Sequence, residues 1–128
     1  MRIFILLLLM MSCGQTQVVV DHDLKGCENY DPDNPPEEAL AYREGELSIE
    51  VYRDGVTQGC SAQFDPDISL EEGVILVREY WEEDDGESCT TCFNPTIILK
   101  DPDPGEYDVE WYLGDSQIPF DNLQFEVD

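Results

Sequence analysis

From Glu46 onward the chain alternates between apolar and polar positions. Leu47, Ile49 and Val51 interleave with Ser48, Glu50 and Tyr52. This is the period-two pattern of a half-buried strand, and Asp54-Gly55 after it has the composition of a hairpin turn. A return strand is expected over 57–64, then a long apolar and aromatic strand over 74–81 and an acidic tip at Glu82-Glu83-Asp84-Asp85-Gly86. Further strands are expected over 96–99, 107–113 and 123–127, with Val18-Val19-Val20 as a first edge strand. Residues 34–45 have helix-start grammar: Asn34 to cap, Pro35 next, acids in the first turn and Gly45 to end it. At most one short helix near 35–44 is expected, and a strand through Leu40 and Tyr42 is the competing reading. Short strands punctuated by Gly, Pro and Asp predict an all-β antiparallel sandwich of about six or seven strands.

The amino-terminal pattern differs. Met1-Arg2 precedes the unbroken apolar run 3–11, too short to cross about 30 Å of hydrocarbon as a helix, so it reads as a signal peptide. The stretch Met10-Met11-Ser12-Cys13-Gly14 resembles a bacterial lipoprotein signal, with small Ser12 before the cysteine. That resemblance implies cleavage after residue 12, lipidation of Cys13 and anchorage in the bacterial cell envelope. The expected organisation is a signal peptide over 1–12, a lipidated amino terminus and tether arm over 13–34, and the sandwich over 35–128.

A second resemblance lies in Pro104-Gly105-Glu106-Tyr107-Asp108-Val109, which is similar to a motif of immunoglobulin-like and fibronectin-type sandwiches. It implies that the Tyr107 hydroxyl closes a corner on backbone a few residues upstream.

With Cys13 lipidated, Cys27, Cys60, Cys89 and Cys92 remain, an even number that suits two disulfides in an oxidising compartment. Cys60 linked to Cys89 or Cys92 is the preferred pairing, among three connectivities. A redox reading of Cys89-Thr90-Thr91-Cys92 is disfavoured, because β-branched and Pro-containing sequence follows where a helix should start. A four-thiolate zinc site is allowed by count alone.

Charge narrows the partners. The 128 residues carry a formal net charge of −24, and all 30 acids lie beyond residue 12. Such a field repels nucleic acid and anionic lipid, leaving the lipid as the one membrane contact, and it favours a cationic protein or glycan surface. Asp-Pro-Asp occurs at Asp31-Pro32-Asp33, Asp65-Pro66-Asp67 and Asp101-Pro102-Asp103. With two expected strands between successive copies, all three turns should share one pole of the sandwich. Carboxylates gathered there are a weak calcium hypothesis, against solvated turns as the plainer reading. No other cofactor is expected. The segment 21–26 begins like an EF-hand loop but has Lys25 at a ligand position.

Catalytic signatures are missing: the single His22 falls in the arm, and no nucleophile elbow, phosphate loop or HExxH occurs. The leading expectation is a non-enzymatic, lipid-anchored interaction or structural module with an acidic pole. The alternatives are a secreted protease-inhibitor-like module presenting a disulfide-braced loop over 87–93, and a small carboxylate-based enzyme. At least one ring of Tyr80-Trp81 and of Trp111-Tyr112 should face outward unless the fold buries both faces, since neighbouring residues of a strand face opposite sides.

Overall fold

A computed structural model describes residues 7–10, 17–27, 33–34, 37–71, 73–82 and 89–128. The described chain is all-β, with no helical residue among those described. Its strands are β1 (Leu7–Met10), β2 (Gln17–Gly26), β3 (Ala39–Glu44), β4 (Ser48–Asp54), β5 (Val56–Gly59) and β6 (Gln63–Phe64). They continue as β7 (Asp67–Glu71), β8 (Val74–Glu79), β9 (Trp81–Glu82), β10 (Thr90–Lys100), β11 (Gly105–Leu113) and β12 (Asp121–Val127). One layer has the order β1-β2-β10-β4-β3 with β5 also on β10, the other β12-β11-β8-β7, and β6 pairs with β9 beside them. All pairs are antiparallel except β8 with β11, which run parallel.

Alternation builds the core. Ile49, Val51, Ile97, Leu99 and Val20 from the first layer meet Ile75, Val77, Tyr107, Val109, Trp111 and Phe125 from the second in one apolar cluster. Tyr42 stacks on Phe125 across the layers, with ring centroids 5.0 Å apart. Burying one such large side chain contributes roughly 1.5–3 kcal/mol, so the sandwich rests on this cluster.

Of the two readings of 35–44 the described residues take the strand: Ala39–Glu44 is in register with Ser48–Asp54, and Leu40 is buried in the core. Three expectations are corrected. Asp54-Gly55 is not a hairpin turn. β5 continues along β10 in the direction of β4, and the register slips by one residue between Tyr52↔Thr96 and Val56↔Phe93. Gly55 at φ 80° forms the bulge, and its N–H donates to Asn94 Oδ1 at 3.1 Å. The strand expected over 74–81 is the second arm of a hairpin whose first arm, β7, is absent from the sequence reading. Finally, Gln17–Gly26, expected within the tether arm, is a ten-residue strand along β10. His22 therefore lies between the layers, edge-on to Phe64 at 5.8 Å.

The expected leader contributes β1, which pairs with Gln17–Val20. A leader cleaved before Cys13 takes that strand with it and leaves β2 as the edge. Cys13 itself lies outside the described residues.

Candidate functional site

Two disulfides join Cys27 to Cys92 and Cys60 to Cys89, each with Cα atoms 5.4 Å apart. Both lie toward one end of the sandwich, and Cys60 N–H donates to Cys89 O at 3.0 Å. In the described part of the 87–93 loop, Cys89 and Thr90 are exposed, Thr90–Phe93 is laddered to Val56–Gly59, and Phe93 packs on Trp81.

The Asp-Pro-Asp turns do not share a pole. Asp67 pairs with Arg78, which aligns with Tyr112 near the end of β11, whereas Asp101 and Asp103 precede the start of β11. Seven residues of strand, about 23 Å, separate those levels. Three long strands, β7, β8 and β10, connect the two turns, and an odd number of traversals ends at the opposite pole. Asp31 lies outside the described residues, and Asp33 is an exposed turn residue. Among the described residues no group of three or more His, Cys, Asp or Glu side chains is placed to hold a metal. Asp101 has a turn's backbone, with φ 44°, and its N–H donates to Leu47 O at 2.6 Å. Tyr107 is buried, and its hydroxyl donates to the Asp103 carbonyl at 2.7 Å, a corner bond four residues upstream.

A centre that the sequence reading missed lies between the layers near the disulfide end. Arg53 ends the inward series Ile49-Val51-Arg53, and Glu79 ends the inward series Ile75-Val77-Glu79. Arg53 Nε and Nη2 donate to the two Glu79 oxygens at 2.7 Å each, a bidentate pair. Trp111 Nε1 donates to the same carboxylate at 2.8 Å and Trp81 Nε1 at 2.7 Å. Arg53 Nη1 reaches Glu38 Oε1 at 2.8 Å, and the guanidinium lies 5.1 Å from the Phe120 ring centroid. Burial alone lowers the Arg53 pKa, but the bond and charge of Glu79, then those of Glu38, outweigh it and hold the group above its ordinary value. The signal was legible: a charge at an inward position of an alternating strand needs an opposite charge facing it.

The two outer faces differ in charge. The first layer carries Lys25, Arg43 and Lys100 among acids. Lys25 bonds Glu50, Arg43 lies 3.4 Å from the same carboxylate, and Lys100 lies 3.3 Å from Asp21. Lys25, Arg43, Tyr52, Asp54 and Asn94 line a surface cleft of about 370 Å³ there. On the second layer, inward Tyr107, Val109, Trp111 and Phe125 turn Glu106, Asp108, Glu110 and Glu126 outward, with Asp67 on β7. Glu106 stands directly opposite Glu126. Arg78 is the base described on this face, stacked 4.6 Å above the outward ring of Tyr112. Of the paired aromatics, Trp111 is buried, Trp81 is half-buried against Phe64 and Phe93, and Tyr80 and Tyr112 lie toward solvent.

No known protein family, characterised protein or solved structure matches the chain.

Proposed function

We propose that the chain is an exported, lipid-anchored interaction module whose second layer presents an acidic face to a cationic surface of a protein partner. The observation that carries this is the placement of Glu106 opposite Glu126, beside Asp108 and Glu110. Like charges directly opposite on neighbouring strands destabilise a sheet. The first layer, by contrast, interleaves its acids with Lys25, Arg43 and Lys100. Carboxylates that cost stability in the free protein are accounted for by a ligand that neutralises them. The acidic feature is thus a sheet face rather than the pole expected from the turns.

Two disulfides support export to an oxidising compartment. Binding is favoured over catalysis because both obvious proton-transfer groups are enclosed. His22 is buried against Phe64, and both Glu79 oxygens already accept bonds from Arg53 and the two indoles. The test is a two-dimensional amide NMR titration of the isotopically labelled protein with oligolysine at moderate salt. Shifts should concentrate at Glu106, Asp108, Glu110 and Glu126. Shifts scattered over every acidic loop would overturn the assignment of the face.

A further inference from the structure

We propose that the loop between β11 and β12 is a preorganised hydrophobic finger that seats Ile118 in an apolar pocket rimmed by basic side chains on a protein partner. This rests on the acidic-face reading and specifies the partner's chemistry. Ile118 is 77% exposed and Leu113 40%. A single exposed apolar residue is ordinary; here hydrogen bonds from the neighbouring strands and within the loop fix the segment that carries it. Arg78 Nη1 donates to the carbonyls of Gly114 and Ser116 at 2.9 and 2.8 Å. Ser116 N–H donates to Leu113 O at 3.2 Å, Gly114 N–H to Glu79 O at 3.0 Å and Phe120 N–H to Trp111 O at 2.7 Å. The Ser116 hydroxyl donates to Ile118 O at 2.9 Å and accepts from Ile118 N–H at 3.2 Å. Tyr80 OH donates to Asp115 Oδ1 at 2.6 Å. The guanidinium on the acidic face is thus spent on loop carbonyls.

Ordering cost is the usual penalty when a loop binds, and a loop already fixed escapes most of it. Position agrees. Val19 of β2 pairs with Lys100, so the chain enters the sandwich at the Asp101 end, only a few residues after Cys13. The finger follows the other end of the nine-residue β11, about 30 Å away. On a chain tethered through Cys13 it is the membrane-distal tip. Charge selects the occupant. Asp115 and Asp121 lie in and beside the loop, and Glu110 is on the adjoining face. A second copy at −24 and an anionic lipid surface are both repelled, whereas Lys and Arg around an apolar pocket are attracted.

The test uses the full chain produced in its native cells, with photo-crosslinking p-benzoylphenylalanine at Gln117, at Asn122 on the acidic face, or at Leu47 at the opposite pole. The expected result is one protein adduct shared by the Gln117 and Asn122 positions and absent from Leu47. Ile118→Asp should lower both yields roughly tenfold, as for an anchor residue, while Ile118→Leu preserves them and the circular dichroism melt is unchanged in both variants. An adduct at Asn122 alone, or yields indifferent to Ile118→Asp, would overturn the finger and leave the acidic face standing. Adducts at neither position would overturn both. A lipid adduct, or one at twice the chain mass, would replace the protein partner with the occupant it identifies.

Discussion

Glu79 is the residue on which the interior depends, because four donors converge on its two oxygens. A buried ion pair contributes little net stability while intact, since desolvation offsets the attraction. Breaking it is another matter. Glu79→Leu strands Arg53 without its main anion and leaves both indole N–H groups unpaired. The expected loss is about 3–5 kcal/mol, read from urea unfolding followed by tryptophan fluorescence. Arg53→Leu added to it should recover part of that loss but not all, because each orphaned indole still costs about 1–3 kcal/mol. A double mutant equal to the sum of the singles would show that the pair is not coupled. Tyr107 makes a second residue-scale prediction. Burial first, and the Asp103 charge second, raise its pKa above the ordinary 10.0. The folded state therefore favours the neutral phenol. Its contribution is complete below about 10 and is lost as pH climbs through the raised value. Tyr107→Phe should cost about 1 kcal/mol at neutral pH, and the gap should close in alkaline melts as wild type loses stability that the variant never had. A constant gap across that range would disconnect the hydroxyl from the corner.

At the scale of elements, strands with sustained alternation were legible: the inward parity of β4, β8, β11 and β12 follows directly from where their apolar residues stand. β7 was not, because Ile68 and Leu70 are only two apolar positions behind the Asp65-Pro66-Asp67 turn, and its partner β8 supplies the evident signal. Asp-Gly was ambiguous for a physical reason. A left-handed glycine serves a hairpin turn and a bulge equally, and Asn94, 39 residues away, decides between them. The parallel contact of β8 with β11 likewise depends on no local pattern. These misreadings propagated: one overlooked strand moved Asp65 and Asp67 to the pole opposite Asp101 and Asp103. Of the candidate surface, the excess of acid was visible in the composition, but its concentration on one layer required the register. The disulfides brace elements that sequence separates widely, with spacings of 65 and 29 residues. On chain entropy, removing Cys27–Cys92 with serines should cost about 4 kcal/mol and removing Cys60–Cys89 about 3.5 kcal/mol. Thermal and urea unfolding of the two serine pairs would rank them. A much larger loss for the shorter loop would show that its bridge holds native packing at β5 and β10 rather than limiting the unfolded chain.

For the whole molecule the governing quantity is a formal charge of −24 spread over a sandwich of 7920 Å² accessible surface. Two salt effects oppose one another. Screening weakens the ion pairs of Lys25, Arg43 and Lys100 on the first layer, whose cationic ends reach solvent. Screening also relieves repulsion among neighbouring carboxylates, including Glu106 against Glu126. The second effect involves many more charges, and raising ionic strength from 0.01 to 1 M shortens the screening length from about 30 to about 3 Å. The melting temperature should therefore climb with sodium chloride, steeply at first and then level off. Glu126→Lys should flatten that climb, because a cation opposite Glu106 replaces repulsion with attraction. Calcium and magnesium compared at equal ionic strength should raise the melt equally, since the described turns sit at opposite ends and supply no common cage. A calcium-selective rise would overturn that expectation and direct mutagenesis to Asp31 and Asp33 first. A melt that falls with sodium chloride would show that the ion pairs of the first layer outweigh the repulsion of the second. Like charges on the second layer would then give no reason to expect a cationic partner.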